Sequence, residues 1–289
     1  MSKTTLMPLV VMIMSIVAIT LIAGCANVGD AATTAAAADD LEGRLVLTGS
    51  STMAPLVGEI AKRFEARHAN VRIDVQTGGS SRGIADATRG IADIGMSSRT
   101  LDQRERAGMV ETLLARDGVC FIVHASNPIA SLTRDELVGI YTGQIQNWRE
   151  VGGYDGPITV IDRAAGRSET TLVAAFLDFE PGSVDADVIA GENQQGIKLV
   201  AGDPNAITYM SVGTSEYEAS NGTAIALLPL DGIAATSASV ASGAFPLSRP
   251  LVFVHRTEHS TLQSAFLEFA TSHEVHDLVQ EQSFVPIER

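Results

Sequence analysis

Arg44-Leu45-Val46-Leu47 runs into Thr48-Gly49-Ser50-Ser51-Thr52, and Met53-Ala54-Pro55-Leu56-Val57 follows. The apolar run predicts a short buried strand. The Gly/Ser/Thr stretch ends it, and Pro55 suits the first turn of a helix, where its missing N–H costs nothing. Leu56, Val57, Ile60, Ala61 and Phe64 then fall on one helical face. Strand, small polar loop and helix therefore follow one another within about two dozen residues, as in an α/β unit.

The same succession recurs downstream. Val71, Ile73 and Val75 alternate as a strand that ends at Thr77-Gly78-Gly79-Ser80-Ser81-Arg82-Gly83, with a helix from Ile84 to Thr88. Ala92-Asp93-Ile94-Gly95 is a third strand, ending at Ser97-Ser98. Thr133-Arg134-Asp135-Glu136 is a capping-box signature leading into Leu137, Ile140 and Tyr141. Pro157 to Ile161 is a strand ending at Asp162-Arg163-Ala164-Ala165-Gly166-Arg167-Ser168-Glu169-Thr170, and Leu172, Val173, Phe176 and Leu177 mark the next helix. Later strands are Ala206 to Ser211 and Leu251 to Val254, and a last helix is expected from Leu262 to Gln280. Alternation of this kind predicts an α/β fold with mostly parallel sheets flanked by helices. About 250 residues suffice for one large domain or two lobes.

The N-terminus reads as a targeting segment. Lys3 precedes an apolar run from Leu6 to Ala23, which closes on Leu21-Ile22-Ala23-Gly24-Cys25. Small residues before a Cys, directly after an apolar stretch, predict a lipoprotein signal peptide over 1–24 with lipidation at Cys25. That places the mature chain in the cell envelope, anchored to a membrane by lipid. Residues 26–40, mostly Ala, Thr, Gly and Asp, read as a tether. The second cysteine, Cys120, sits in Val119-Cys120-Phe121-Ile122-Val123, a core-strand pattern, so no disulfide framework is expected.

The chain of 289 residues carries 20 Lys and Arg against 34 Asp and Glu, a formal net charge of −14. It lacks the basic surface that nucleic-acid binding requires. Such a chain also repels anions globally, so any anion site must be local. Four strand ends open a helix or turn with Gly, Ser and Thr: 50–52, 79–81, 97–98 and 166–170. The first turn of a helix has unpaired N–H groups and the positive end of the macrodipole, which binds oxyanions. Ser and Thr hydroxyls add donors. The competing reading of each stretch is an ordinary N-cap. Arg163, at a strand end beside a helix start, suits a charge-assisted bond to an oxyanion, and Arg82 and Arg167 are comparably placed. No cofactor or metal site is expected. The chain has no phosphate-binding GxxxxGK[ST] loop, dinucleotide GxGxxG or zinc HExxH, and its six His are scattered. Without a nucleophile–base pair, an enzyme such as a phosphatase is disfavoured.

These stretches together resemble the periplasmic phosphate-binding proteins of ABC transporters. The markers run in order: Gly49 to Leu56, Gly78 to Gly83, Asp93 to Arg99, Asn127-Pro128, Tyr141-Thr142-Gly143, Asn147-Trp148, Val151-Gly152-Gly153, Asn205 to Tyr209, and Phe245 to Leu251. The resemblance implies a two-lobed periplasmic-binding-protein fold of type II that closes by hinge motion. It implies a first lobe over 41–123, a second over 124–225 and a return to the first over 226–289. It further implies a monomer that binds inorganic phosphate and delivers it to permease subunits. Sulfate, molybdate or tungstate, or a sensing or scavenging role, are the alternatives. The implied anion contacts are Ser51, Thr52 and Met53, then Ser80 and Ser81, then Arg163 with Ser168 to Thr170. Two departures stand out. Gly166-Arg167-Ser168-Glu169-Thr170 replaces the family's Gly-Ser-Gly-Thr, so Arg167 and Glu169 join the candidate site. Ser98 stands where better-known members carry an Asp that accepts the ligand's proton, a group that would reject fully ionised sulfate.

Overall fold

The computed structural model describes residues 41–180 and 183–288. The signal peptide, Cys25 and the tether lie outside the described residues. In chain order the elements begin β1 (Glu42–Gly49), α1 (Ala54–Arg67), β2 (Asn70–Thr77), α2 (Ser80–Arg89), β3 (Ile94–Ser97) and β4 (Met109–His124). Next come α3 (Arg134–Tyr141), β5 (Thr159–Arg163), α4 (Ser168–Leu177), β6 (Val188–Ala190), α5 (Asn193–Gly202), β7 (Ala206–Ser211) and α6 (Val212–Ser220). The last are β8 (Ile225–Leu227), α7 (Ser237–Ala241), β9 (Ser248–Arg256), α8 (Thr261–Ala270), α9 (His276–Glu281) and β10 (Val285–Pro286).

The strands run β2-β1-β3-β9-β4-β7-β5-β6, with β8 and β10 paired to β4 off that path. The outer pairs β1–β2, β1–β3, β5–β6 and β5–β7 are parallel, as helical crossovers require. The pairs made by β4 and β9 are antiparallel. The 16-residue β4 belongs to both halves. Its residues Met109 to Gly118 pair with β9, and Val119 to Val123 pair with β7.

Two cores lie on either side of that change of partner. One gathers Leu45, Leu47, Leu56, Ile60, Phe64, Ile94 and Ala115 with Leu251, Phe266 and Val279. Phe64 meets Phe266 edge-on with centroids 5.5 Å apart, and truncating such a fully buried ring costs about 3–5 kcal/mol. The other gathers Val119, Phe121, Tyr141, Trp148, Ile161, Val173, Ile197 and Tyr209. This second core also takes Leu228, Leu230, Ala235, Val240, Phe245 and Leu247. The boundaries expected from sequence place 119–123 and 226–247 in the first lobe. The apolar side chains decide otherwise, and the chain passes between cores at Gly118 and again at Ser248. In β4 the crossing coincides with the polar Arg116-Asp117-Gly118, which separates Leu113-Leu114-Ala115 from Val119 to Val123.

The expected helix over 262–280 is broken. Ser272 caps a short turn by accepting from the Glu274 N–H at 3.3 Å, and α9 starts afresh at His276. Cys120 is fully buried, and burial pushes its thiol pKa up, so it is an inert core group.

Candidate oxyanion site

Helices α1, α2, α4 and α5 start where β1, β2, β5 and β6 end. None of the four has a side-chain cap on its first-turn N–H groups. Elsewhere the chain caps normally: Thr133 caps α3, Ser211 caps α6, Thr236 caps α7 and Ser260 caps α8. The Ser and Thr residues at the first group of strand ends are thus not spent on capping. Their hydroxyls bind one another and a set of buried charges.

Thr52 makes three bonds with its one hydroxyl. It accepts from Asn193 Nδ2 at 3.0 Å and from Arg249 Nη2 at 3.2 Å, and donates to Glu169 Oε1 at 3.2 Å. Ser51 donates to Asn193 Oδ1 at 3.3 Å and lies 3.5 Å from Arg167 Nη1. The Ser50 and Ser98 hydroxyls are in direct contact, and the Ser98 N–H donates to Ser80 Oγ at 3.0 Å. The Ser81 N–H donates to the Gly166 carbonyl at 3.3 Å, joining α2 to the loop before α4. Gly79, at φ +90°, permits that approach: a Cβ there would stand 3.0 Å from the Gly166 oxygen and 3.2 Å from Arg167 Cδ. Met53 contributes backbone only, since its side chain is wholly in the core. Thr170 Oγ1 faces Tyr209 Oη at 3.4 Å, and that phenol donates to Asp162.

The charges sort into two kinds. Arg249 is fully paired: it bonds Asp117 Oδ2 at 2.8 and 3.1 Å, Ser168 Oγ at 3.0 Å and Glu169 Oε1 at 3.0 Å. Asp117 and Arg249 sit opposite each other in the β4–β9 register, at the crossing between cores. Glu169 is buried, which alone would raise its pKa. Arg249, then Arg163, overcome this and hold it at about 2. Arg167 pairs with Glu192 at 2.8 Å near the surface.

Arg163 is different. It is 2% exposed, and among the described residues no carboxylate lies within 4 Å of it. Its Nη1 donates to the Glu192 carbonyl at 3.1 Å and its Nη2 to Asn193 Oδ1 at 2.7 Å, while its buried Nε has no partner. It lies against the first turn of α5, where Gly196 leaves room: a Cβ there would be 2.9 Å from Nη1. Burial pushes the Arg163 pKa down. A buried cation at the positive end of a helix, with Glu169 attracting it only from beyond bonding distance, is an unfavourable arrangement that an anion relieves.

Of the candidates from sequence, Ser51, Thr52, Arg167, Ser168 and Glu169 form one bonded cluster with Asn193, which also holds Arg163. Ser80, Ser81 and Ser98 border it. Arg82 does not join: it is exposed and pairs with Asp86 along its own helix. Sequence reasoning missed Asn193, Asp117 and the role of Arg249. Arg249 belongs to the Phe245–Leu251 stretch, but only the strand register sets it opposite Asp117, and only the packing of α4 brings Glu169 to it. Asn193 had one signal, its place after a strand end.

A family profile described as the PBP superfamily domain matches residues 30–274. The chain belongs to the PBP superfamily. It is 27% identical to the phosphate-binding protein PstS of Bacillus subtilis over 96% of this chain and 94% of the relative. PstS of Borreliella burgdorferi is 28% identical over 86% and 91% of the two chains. Among solved structures, a phosphate ABC transporter substrate-binding protein with bound phosphate from Clostridium perfringens superposes with a TM-score of 0.79. It is 30% identical, over 85% of this chain and all of that one. An ABC-type phosphate transport receptor from Vibrio cholerae gives 0.68 at 28% identity, over 84% and 100%.

Proposed function

We propose that this chain is the solute-binding component of an ABC importer and binds inorganic phosphate, without catalysing a reaction. The observation that carries this reading is Arg163, a buried guanidinium that among the described residues has no partner for its Nε and no carboxylate within 4 Å, set among four uncapped helix N-termini. The names of its relatives point the same way. The anion sits between the two cores, where Ser51, Thr52, Met53, Ser80 and Ser81 from one side face Arg163, Ser168 and Thr170 from the other.

Glu169 supplies the acceptor-only group that Ser98, whose hydroxyl also donates, is not. It stays ionised at neutral pH, and its Oε2 has only a 3.5 Å contact with Ser168. An ionised carboxylate accepts a proton bond from HPO₄²⁻ but meets only lone pairs on sulfate. Export with a lipid on Cys25 places this receptor in the cell envelope, next to permease subunits that receive the anion. Cys25→Ser should abolish incorporation of labelled fatty acid.

Calorimetry on the delipidated mature chain tests the ligand. Phosphate should bind with micromolar or tighter affinity, and sulfate, molybdate and tungstate far more weakly. Tight sulfate binding with no heat from phosphate would overturn the assignment.

A further inference from the structure

Of the three arginines at the site, two meet a carboxylate and one does not. Arg249 meets Asp117 and Glu169, and Arg167 meets Glu192. Arg163 meets the amide of Asn193 instead, at 2.7 Å. We infer that Asn193 is a positioning residue for the anion: it fixes the Arg163 guanidinium without neutralising it and ties it to the opposite side of the cleft. The inference rests on the phosphate-binding reading above.

Asn193 is 2% exposed and is the first residue of α5. Each part of its amide is used. Oδ1 accepts from Arg163 and from the Ser51 hydroxyl, and Nδ2 donates to Thr52. Arg163 belongs to the half built on the second core, and Ser51 and Thr52 adjoin Met53 and Leu56 of the first. A single amide therefore joins the cation to the hydroxyl loop across the site. A hydrophobic residue here would leave Arg163 Nη2 without its partner and take from Thr52 one of its three bonds. An Asp would match the shape but place a carboxylate against the guanidinium. Opposite charges that close attract strongly in a buried setting, so the anion would then compete with a built-in one. Asn alone supplies an acceptor for Arg163, a donor for Thr52 and no charge. The neighbouring charges do not change this: Glu192 uses its backbone carbonyl on Arg163 and its carboxylate on Arg167.

N193D separates this role from a merely structural one, because it should move affinity and unliganded stability in opposite directions. Inorganic phosphate is titrated calorimetrically into wild type, N193D, R163A and R163A/N193D, and the melting temperature of each is taken without phosphate. N193D should raise the Kd by at least about 30-fold, as expected when a buried charge pair is altered. Its melting temperature should hold or rise, since the new carboxylate faces Arg163, and turning the Thr52 hydroxyl to it leaves Glu169 Oε1 held by Arg249 at 3.0 Å. In the R163A background the same substitution should change the Kd by less than about threefold, because coupled residues are not additive. The inference is overturned if wild type binds phosphate and N193D binds within about threefold of it. It is equally overturned if N193D melts lower or fails to fold, or if its effect persists in full without Arg163. Wild type that binds no phosphate overturns the functional reading itself, and this inference with it.

Discussion

The chain treats its helix N-termini in two ways. At α3, α6, α7 and α8 a Ser or Thr side chain accepts from a first-turn N–H, in a capping box at α3 and α7. At α1, α2, α4 and α5 no side chain does so, although Ser or Thr stands at the start of the first three and Asn193 at the start of α5. A missing cap costs about 1 kcal/mol of stability. Four such omissions, each at the end of one of the strands β1, β2, β5 and β6, mark the helix starts whose N–H groups the side chains of the fold leave uncapped. The arginines divide in a parallel way. Arg249 is structural, tying the crossing strands to α4, whereas Arg163 keeps its charge in reserve.

Arg249 should give the largest effect. Arg249→Ala leaves Asp117 and Glu169, both nearly inaccessible, as buried charges without a counter-ion. Stability should fall by about 3–5 kcal/mol, read from urea unfolding. Arg163→Ala should do the converse. Binding of inorganic phosphate should weaken by about 2–5 kcal/mol by calorimetry, with little loss of unfolding free energy, since no ion pair is broken. Equal losses of stability in the two variants would erase the distinction between them.

Glu169 belongs with Arg249 in this division, and pH can show it. Its folded pKa of about 2 lies below the ordinary 4.5, so folding favours the ionised form. The associated stability is present above about pH 4.5 and is lost as the pH falls through about 2. It amounts to on the order of 3 kcal/mol. Wild type should therefore lose stability more steeply than Glu169→Gln between those limits, in unfolding free energies measured across the acid range. Parallel curves would mean that the carboxylate is not held by Arg249 and Arg163.

Much of this was legible in the sequence, because it was written locally. The α/β class follows from strand-to-helix succession, and Arg163 stood out as a charged residue at a strand end. Long-range pairing decided the rest. That Ser50, Ser51 and Thr52 do not cap α1 depends on partners at Ser98, Asn193 and Glu169, between about 48 and 142 positions away. The crossing at Gly118 shows in β4 only as the polar Arg116-Asp117-Gly118 between two apolar runs, and that those runs enter different cores is decided by their partners β9 and β7. Glu169 reads on sequence as an odd carboxylate in an anion loop. Its charge makes sense only once β9 delivers Arg249 to it.

The smallest expected effects define the edge of the site. Ser260→Ala removes the cap of α8, which accepts from the Gln263 N–H at 3.2 Å. It should cost about 1 kcal/mol of unfolding free energy and leave phosphate affinity unchanged. Arg167→Ala is the sharper case, because sequence placed Arg167 among the anion's contacts. In the structure its guanidinium is turned to Glu192, whose side chain is 41% exposed, and only a 3.5 Å approach links it to Ser51. Its charge is already answered by Glu192, so Arg167→Ala should lower phosphate affinity by no more than about 1 kcal/mol on calorimetric titration. A loss as large as that of Arg163→Ala would put Arg167 on the anion itself. The reserve of unpaired charge would then be shared between two arginines, and Arg163 would no longer be the sole cation kept for the ligand.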